Sequence, residues 1–256
     1  MKIRNAGIAL AFLLAACSSG GGDSGGTSGP PSATADISML FMGNSHTSTN
    51  DLTEMVADMV RAGKPGRTVA SVEAPGFMFL EERVHDATTM NLLRSQNWSF
   101  VILQAQKYSL SGQFEYSTEE AKELIRVSRG QHAVPVMFPE WPLRDVDETQ
   151  RIYDLHVSIA QAEPACVAPI GQAWDLALSR DPSMPLYADD GNHSRPAGAF
   201  LAALVLYATI TGQSPLDLPH FPQYPVDAAL QETLRGIAAE TVATVPPRMW
   251  CPNDPA

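Results

Sequence analysis

The sequence predicts an α/β fold with a parallel sheet covered by helices on both faces. Two observations carry this. Five short apolar runs (residues 37–42, 67–73, 99–104, 133–138 and 165–170) alternate with longer segments of helical periodicity. Runs such as Ser99 to Gln104 (SFVILQ) are also apolar without a break, as strands buried on both faces are. With 256 residues, 45% of them hydrophobic, the chain can bury one sizeable core, and neither an internal repeat nor a second domain is visible.

The first run, Ile37 to Met42, stops at Gly43 and is followed by Asn44, Ser45, His46 and Thr47. A helix over 51–62 comes next, with Leu52, Met55, Val56, Met59 and Val60 on one face. Ser45 therefore stands at the carboxyl end of a first strand, where open α/β sheets bind ligands. It could act as a nucleophile, or simply cap the helix. The second strand, 67–73, leads into Ala74-Pro75-Gly76, and residues 80–95 have helical spacing that fits one helix or two. Strand 99–104 precedes a helix over 118–129, opened by Ser117 and Thr118 with acids in its first turn. Strand 133–138 precedes a helix over 146–163, and strand 165–170 is weakened by Pro169. A strongly apolar helix over 196–211 and an amphipathic one over 226–245 complete the chain.

The net charge of −11, without a basic stripe, argues against nucleic acid as a partner. Lys2 and Arg4 precede an apolar stretch too short to span a membrane, which ends Leu14-Ala15-Ala16-Cys17. This resembles a bacterial lipobox, which implies a lipoprotein signal peptide over 1–16 and a lipid on Cys17. Ser18 after that cysteine implies the outer membrane, so the expected place is the cell envelope, facing periplasm or exterior. Residues 17–35, rich in Gly, Ser, Thr and Pro, read as a tether to a folded domain over 36–256. Cys166 and Cys251 remain, as a possible disulfide in an oxidising compartment or as two separate thiols.

Near the C-terminus, Asp190 and His193 are three residues apart in a loop containing Gly191. That spacing lets a carboxylate turn back on an imidazole and fix its tautomer. Asp189 is the alternative partner, and an Asx-turn is the structural reading of the same residues. In the order Ser…Asp-x-x-His, with Gly43–Thr47 reading GNSHT and Ala74-Pro75-Gly76-Phe77 after the second strand, the chain resembles the SGNH (GDSL-type) hydrolases. The resemblance spans about residues 37–245. It implies a three-layer α/β/α fold with a flavodoxin-like five-stranded sheet. It also implies a catalytic triad of Ser45, Asp190 and His193, with the backbone N–H groups of Ser45 and Gly76 in the oxyanion hole. The third block of that family, GxND, is replaced by Gln104-Ala105-Gln106. Gln106 is the candidate for the missing amide donor, with Gln104 second.

His46, Gln104 and Trp141 are expected near the cleft as possible substrate contacts. Glu140, Tyr108 and Phe77 fall on the same edge. The other histidines show no metal-ligand spacing, and no phosphate-binding glycine motif is present, so no metal or cofactor is expected. The resulting expectation is a serine esterase working through an acyl-Ser45 intermediate, with a carbohydrate O-acetyl ester as first substrate. A lipase, lysophospholipase or thioesterase, and a non-catalytic glycan- or lipid-binding lipoprotein, are the alternatives.

Overall fold

The computed structural model describes residues 35–255. The expected signal peptide, Cys17 and all but the last residue of the expected tether lie outside the described residues. Five strands, β1 (Ile37–Met42), β2 (Val69–Glu73), β3 (Phe100–Gln104), β4 (Val134–Phe138) and β5 (Cys166–Val167), form one sheet in the order β2-β1-β3-β4-β5. Every pairing is parallel. The expected flavodoxin-like arrangement is therefore present.

Alternate residues of each strand enter different layers, as the twofold period of a strand requires. Met39, Phe41, Ile102 and Val136 pack into one layer, with α2 (Leu52–Gly63), α7 (Ile170–Arg180), α8 (Pro196–Thr211) and α9 (Ala228–Thr244). Leu40, Met42, Val101, Leu103 and Met137 pack into the other. That layer holds α4 (Ala87–Arg94), α5 (Glu119–Gly130) and α6 (Thr149–Ala162). Helix α8 is buried along nearly its whole length, because α2, α7 and α9 surround it. Gly198 is needed there, since a Cβ would fall 2.6 Å from the Trp174 ring. Among the described residues no helix is long and apolar enough to cross a membrane.

Two sequence expectations change and one is resolved. Residues 80–95, expected as one helix or two, form two, α3 (Leu80–Arg83) and α4. Asp86 caps the second by accepting the Thr89 N–H at 2.7 Å. Strand 165–170 shrinks to two residues, because the chain turns at Pro169 straight into α7, a helix the apolar pattern concealed. Finally, the helix after Ser45 is interrupted. Ser45 opens a four-residue helix α1 (Ser45–Ser48), and Asn50 and Asp51, at φ 61° and 55°, reset the chain before α2.

Cys166 on β5 and Cys251 in the tail form a disulfide, with a Cα–Cα distance of 5.0 Å across a sequence separation of 85. The Val167 N–H also donates to Pro247 O at 2.9 Å, so the tail continues the sheet edge.

Candidate active site

The site is assembled on the carboxyl edge of the sheet. At the end of β1, Gly43 is required by crowding: a Cβ would meet the Thr47 hydroxyl and, at 2.5 Å, Gln104 Oε1. Asn44 caps α1, its Oδ1 accepting the His46 N–H at 3.0 Å. Ser45 is thus the first helical residue and its hydroxyl is left for other work. No acceptor among the described residues takes the Ser45 N–H or the Gly76 N–H. The first is one of the unsatisfied donors of a helix N-terminus.

The second half comes from the loop between Tyr187 and Arg195. Its ends are joined by Ala188 N–H to His193 O at 2.8 Å and Arg195 N–H to Leu186 O at 2.7 Å, and Gly191 turns it at φ 71°. Asp190 has two tasks there. Its Oδ1 accepts the N–H groups of Asn192 and His193, both at 2.9 Å, while Oδ2 meets His193 Nδ1 at 2.6 Å. The same carboxylate thus closes the Asx-turn and meets the imidazole. His193 and the two backbone N–H groups hold the Asp190 carboxyl well below the usual carboxylate range, the His193 hydrogen bond contributing most. With Nδ1–H donating to Asp190, Nε2 is left to accept from Ser45 Oγ, 2.8 Å away. Asp189 pairs instead with Arg195 at 2.6 Å.

Two further contacts bring the halves together across the sequence. Trp141 Nε1–H donates to Asn192 O at 2.7 Å, and Asn50 Nδ2–H donates to Ser194 O at 2.8 Å. Trp141 stacks on Trp174 with ring centroids 4.5 Å apart, which fixes it in the core. Beneath the turn, Gln104 Oε1 accepts from the Asn44 N–H at 2.9 Å and the Thr47 hydroxyl at 3.1 Å. Its Nε2–H donates to Glu140 at 2.6 Å. Burial pushes the Glu140 carboxyl up from its ordinary value, with facing His46 and the Gln104 hydrogen bond opposing.

Four expectations are corrected by this geometry. The Gln106 amide donates both its N–H groups to backbone carbonyls, Lys107 O at 3.0 Å and Ser117 O at 2.9 Å, so it offers no donor to an oxyanion. Gln104 is fully buried and bound as described, so it neither replaces that donor nor touches a substrate. Trp141, 2% exposed, supports the histidine loop from below. His46 is also buried, its ring 5.0 Å from Trp141 and 5.2 Å from His193, near-parallel to the latter. It backs the imidazole and does not reach Ser45.

A residue that pattern reading passed over is Arg83, whose guanidinium is buried under the loop carrying Gly76. Nothing in a short polar stretch such as Leu80–Arg83 distinguishes a buried arginine from a solvated one.

No family model matches the sequence, and no curated protein matches it. Solved structures do match. A DUF4886 family protein from Bacteroides uniformis superposes with a TM-score of 0.64 at 17% identity, over 81% of this chain and 95% of that one. A candidate SGNH hydrolase from Slackia heliotrinireducens gives 0.55 at 24% identity, over 68% and 98%. An acetyl xylan esterase from Geobacillus stearothermophilus gives 0.51 at 12%, over 69% and 95%. The fold is that of the SGNH hydrolases. Within it, Ser45, Asp190 and His193 come together as one hydrogen-bonded chain, and the block-three amide is absent.

Proposed function

We propose that the protein is a serine ester hydrolase. The observation that carries this is the continuous hydrogen-bonded chain from Ser45 Oγ through His193 to Asp190, opened on the edge of an SGNH fold. Ser45 Oγ attacks the ester carbonyl carbon while His193 Nε2 takes its proton; Asp190 stabilises the imidazolium. The carbonyl oxygen gains its charge facing the N–H groups of Ser45 and Gly76. As the tetrahedral intermediate collapses, the proton passes from His193 to the departing alcohol oxygen, leaving acyl-Ser45. Water then repeats the sequence, with His193 as base, and releases the acid.

The first substrate class we assign is an O-acetylated carbohydrate of the cell envelope, with the chain held there through a lipid on Cys17. The acetyl xylan esterase of the same fold supports the substrate class, and the lipobox-like sequence supports the place. A second reading has an observation of its own. Phe77, Leu110 and Phe114, on the loops after β2 and β3, are 71%, 58% and 68% exposed, which suits an acyl chain laid across the site. Hydrolysis of p-nitrophenyl acetate, butyrate and octanoate by residues 36–256, beside Ser45→Ala, separates the readings. Highest kcat/KM on acetate supports the acetyl esterase; a steady rise with chain length supports the lipase or thioesterase. Turnover equal to that of Ser45→Ala on every ester leaves a binding protein.

A further inference from the structure

Arg83 is fully buried; Asp86, Glu73 and Glu82 act on its charge from a distance, but among the described residues none forms an ion pair with it. Its guanidinium is surrounded by backbone carbonyls instead. Nη1–H donates to Pro75 O at 2.8 Å and to the Thr89 hydroxyl at 3.1 Å. Nη2–H donates to Gly76 O and Gly43 O, both at 2.6 Å, and to Ala74 O at 3.3 Å. Three successive carbonyls of one loop and one carbonyl of the Ser45 turn thus converge on a single cation. Gly76, at φ 79°, permits that convergence, a conformation that side chains disfavour.

The planar trans peptide gives this contact a consequence. In each peptide unit C=O and N–H point in opposite directions. Holding Pro75 O on the guanidinium turns the Gly76 N–H away from it, and holding Gly43 O turns the Asn44 N–H away, to Gln104 Oε1. The nitrogen Nη2 also joins the two loops directly, since it binds one carbonyl from each. A positive charge on the carbonyl end of a peptide polarises its N–H and strengthens it as a donor.

We propose that Arg83 is a positioning residue for the oxyanion hole, fixing the direction of the Gly76 N–H and the spacing between the Gly76 loop and the Ser45 turn. This rests on the hydrolase reading above. With neither Gln106 nor Gln104 offering an amide, the hole depends on backbone donors, and Arg83 is the side chain that orients one of them. A bidentate fork is needed for this, so lysine is a poor replacement.

The test compares wild type, Arg83→Lys and Arg83→Ala on p-nitrophenyl acetate, with active sites counted by saturating fluorophosphonate and stability followed by thermal melting. The expected result for Arg83→Lys is a kcat per labelled site lower by about tenfold to a hundredfold, part of the loss seen when an oxyanion donor is removed outright, with KM within about twofold. For Arg83→Ala, added guanidinium ion restores kcat and an equal concentration of sodium ion does not. Thr89→Val, which loosens one arm of the fork without removing the charge, lowers kcat by a smaller factor and covers the case in which the arginine variants do not fold. An active wild type, with kcat per labelled site unchanged in Arg83→Lys or in a folded Thr89→Val, overturns this inference and leaves the hydrolase reading standing. A wild type that neither turns over nor labels overturns both.

Discussion

The hydrogen bond between Gln104 and Glu140 makes a quantitative prediction. Gln104→Glu preserves shape and keeps an oxygen for the Asn44 N–H, but places a carboxyl where an amide met Glu140 Oε2 at 2.6 Å. Two carboxylates cannot both ionise at that distance, so the pair retains one proton in the folded state. Its folded pKa is then raised above the unfolded value, near 4.5 for a glutamate. Below that value the substitution has little electrostatic cost, because a protonated Glu donates where the amide did. Above it, the folded state binds one more proton than the unfolded chain, and stability falls by about 1.4 kcal/mol per pH unit until the folded pKa is passed. Burial already holds wild-type Glu140 above its ordinary value, so the gap between the two proteins opens, at about 1.4 kcal/mol per pH unit, over the range in which wild-type Glu140 has lost its proton and the pair has not. His46, Tyr108 and Glu148 also face Glu140, but they do so in both proteins and cancel in the comparison. Urea unfolding of wild type and Gln104→Glu at whole pH values from 5 to 9 measures it. A gap that widens with pH supports the network beneath Ser45, and one independent of pH refutes it.

Four other outcomes follow from the geometry. Asp190→Asn keeps the oxygen that caps the loop but turns an amide N–H toward His193 Nδ1, which favours the tautomer unable to take the Ser45 proton; kcat on p-nitrophenyl acetate should fall about a hundredfold or more. Because the Asp190 carboxyl is held low, its contribution to stability is complete above the ordinary carboxylate range and lost as pH falls through the lowered value, so the stability gap between wild type and Asp190→Asn in urea should be level from pH 5 to 7 and shrink below about pH 4. Replacing Cys166 and Cys251 together by serine opens a loop of 85 residues in sequence separation and should reduce stability by about 4–5 kcal/mol, read as a lower calorimetric melting temperature with kcat at 25 °C retained. Trp141→Phe removes the N–H that holds Asn192 O and should lower kcat about tenfold, with KM nearly unchanged, in steady-state kinetics.

The sheet was legible because parallel strands buried on both faces leave continuous apolar runs, and β1 and α8 fall where those runs place them. Short elements were not. Strand β5 has only two residues, and α7 follows Pro169 without a polar loop to mark it, so the apolar pattern reads straight through both. At the site, the Asp190–His193 pair was visible because its three-residue spacing is local, whereas Ser45, 148 residues from His193, was singled out with them through the resemblance to the SGNH hydrolases. The roles of Gln104, Gln106 and Trp141 were not, because they depend on partners 36, 11 and 51 residues away. The same holds for Arg83, whose contact with Gly43 crosses 40 residues.

In the proposed reaction Ser45 is a nucleophile activated by His193. Its most direct test is covalent labelling of residues 36–256 by a fluorophosphonate at pH 7.5, with the modified peptide located by mass spectrometry. One label per chain is expected, on Ser45, absent from Ser45→Ala and strongly slowed in His193→Ala. A folded wild type that takes no label, or takes it equally in Ser45→Ala, contradicts it.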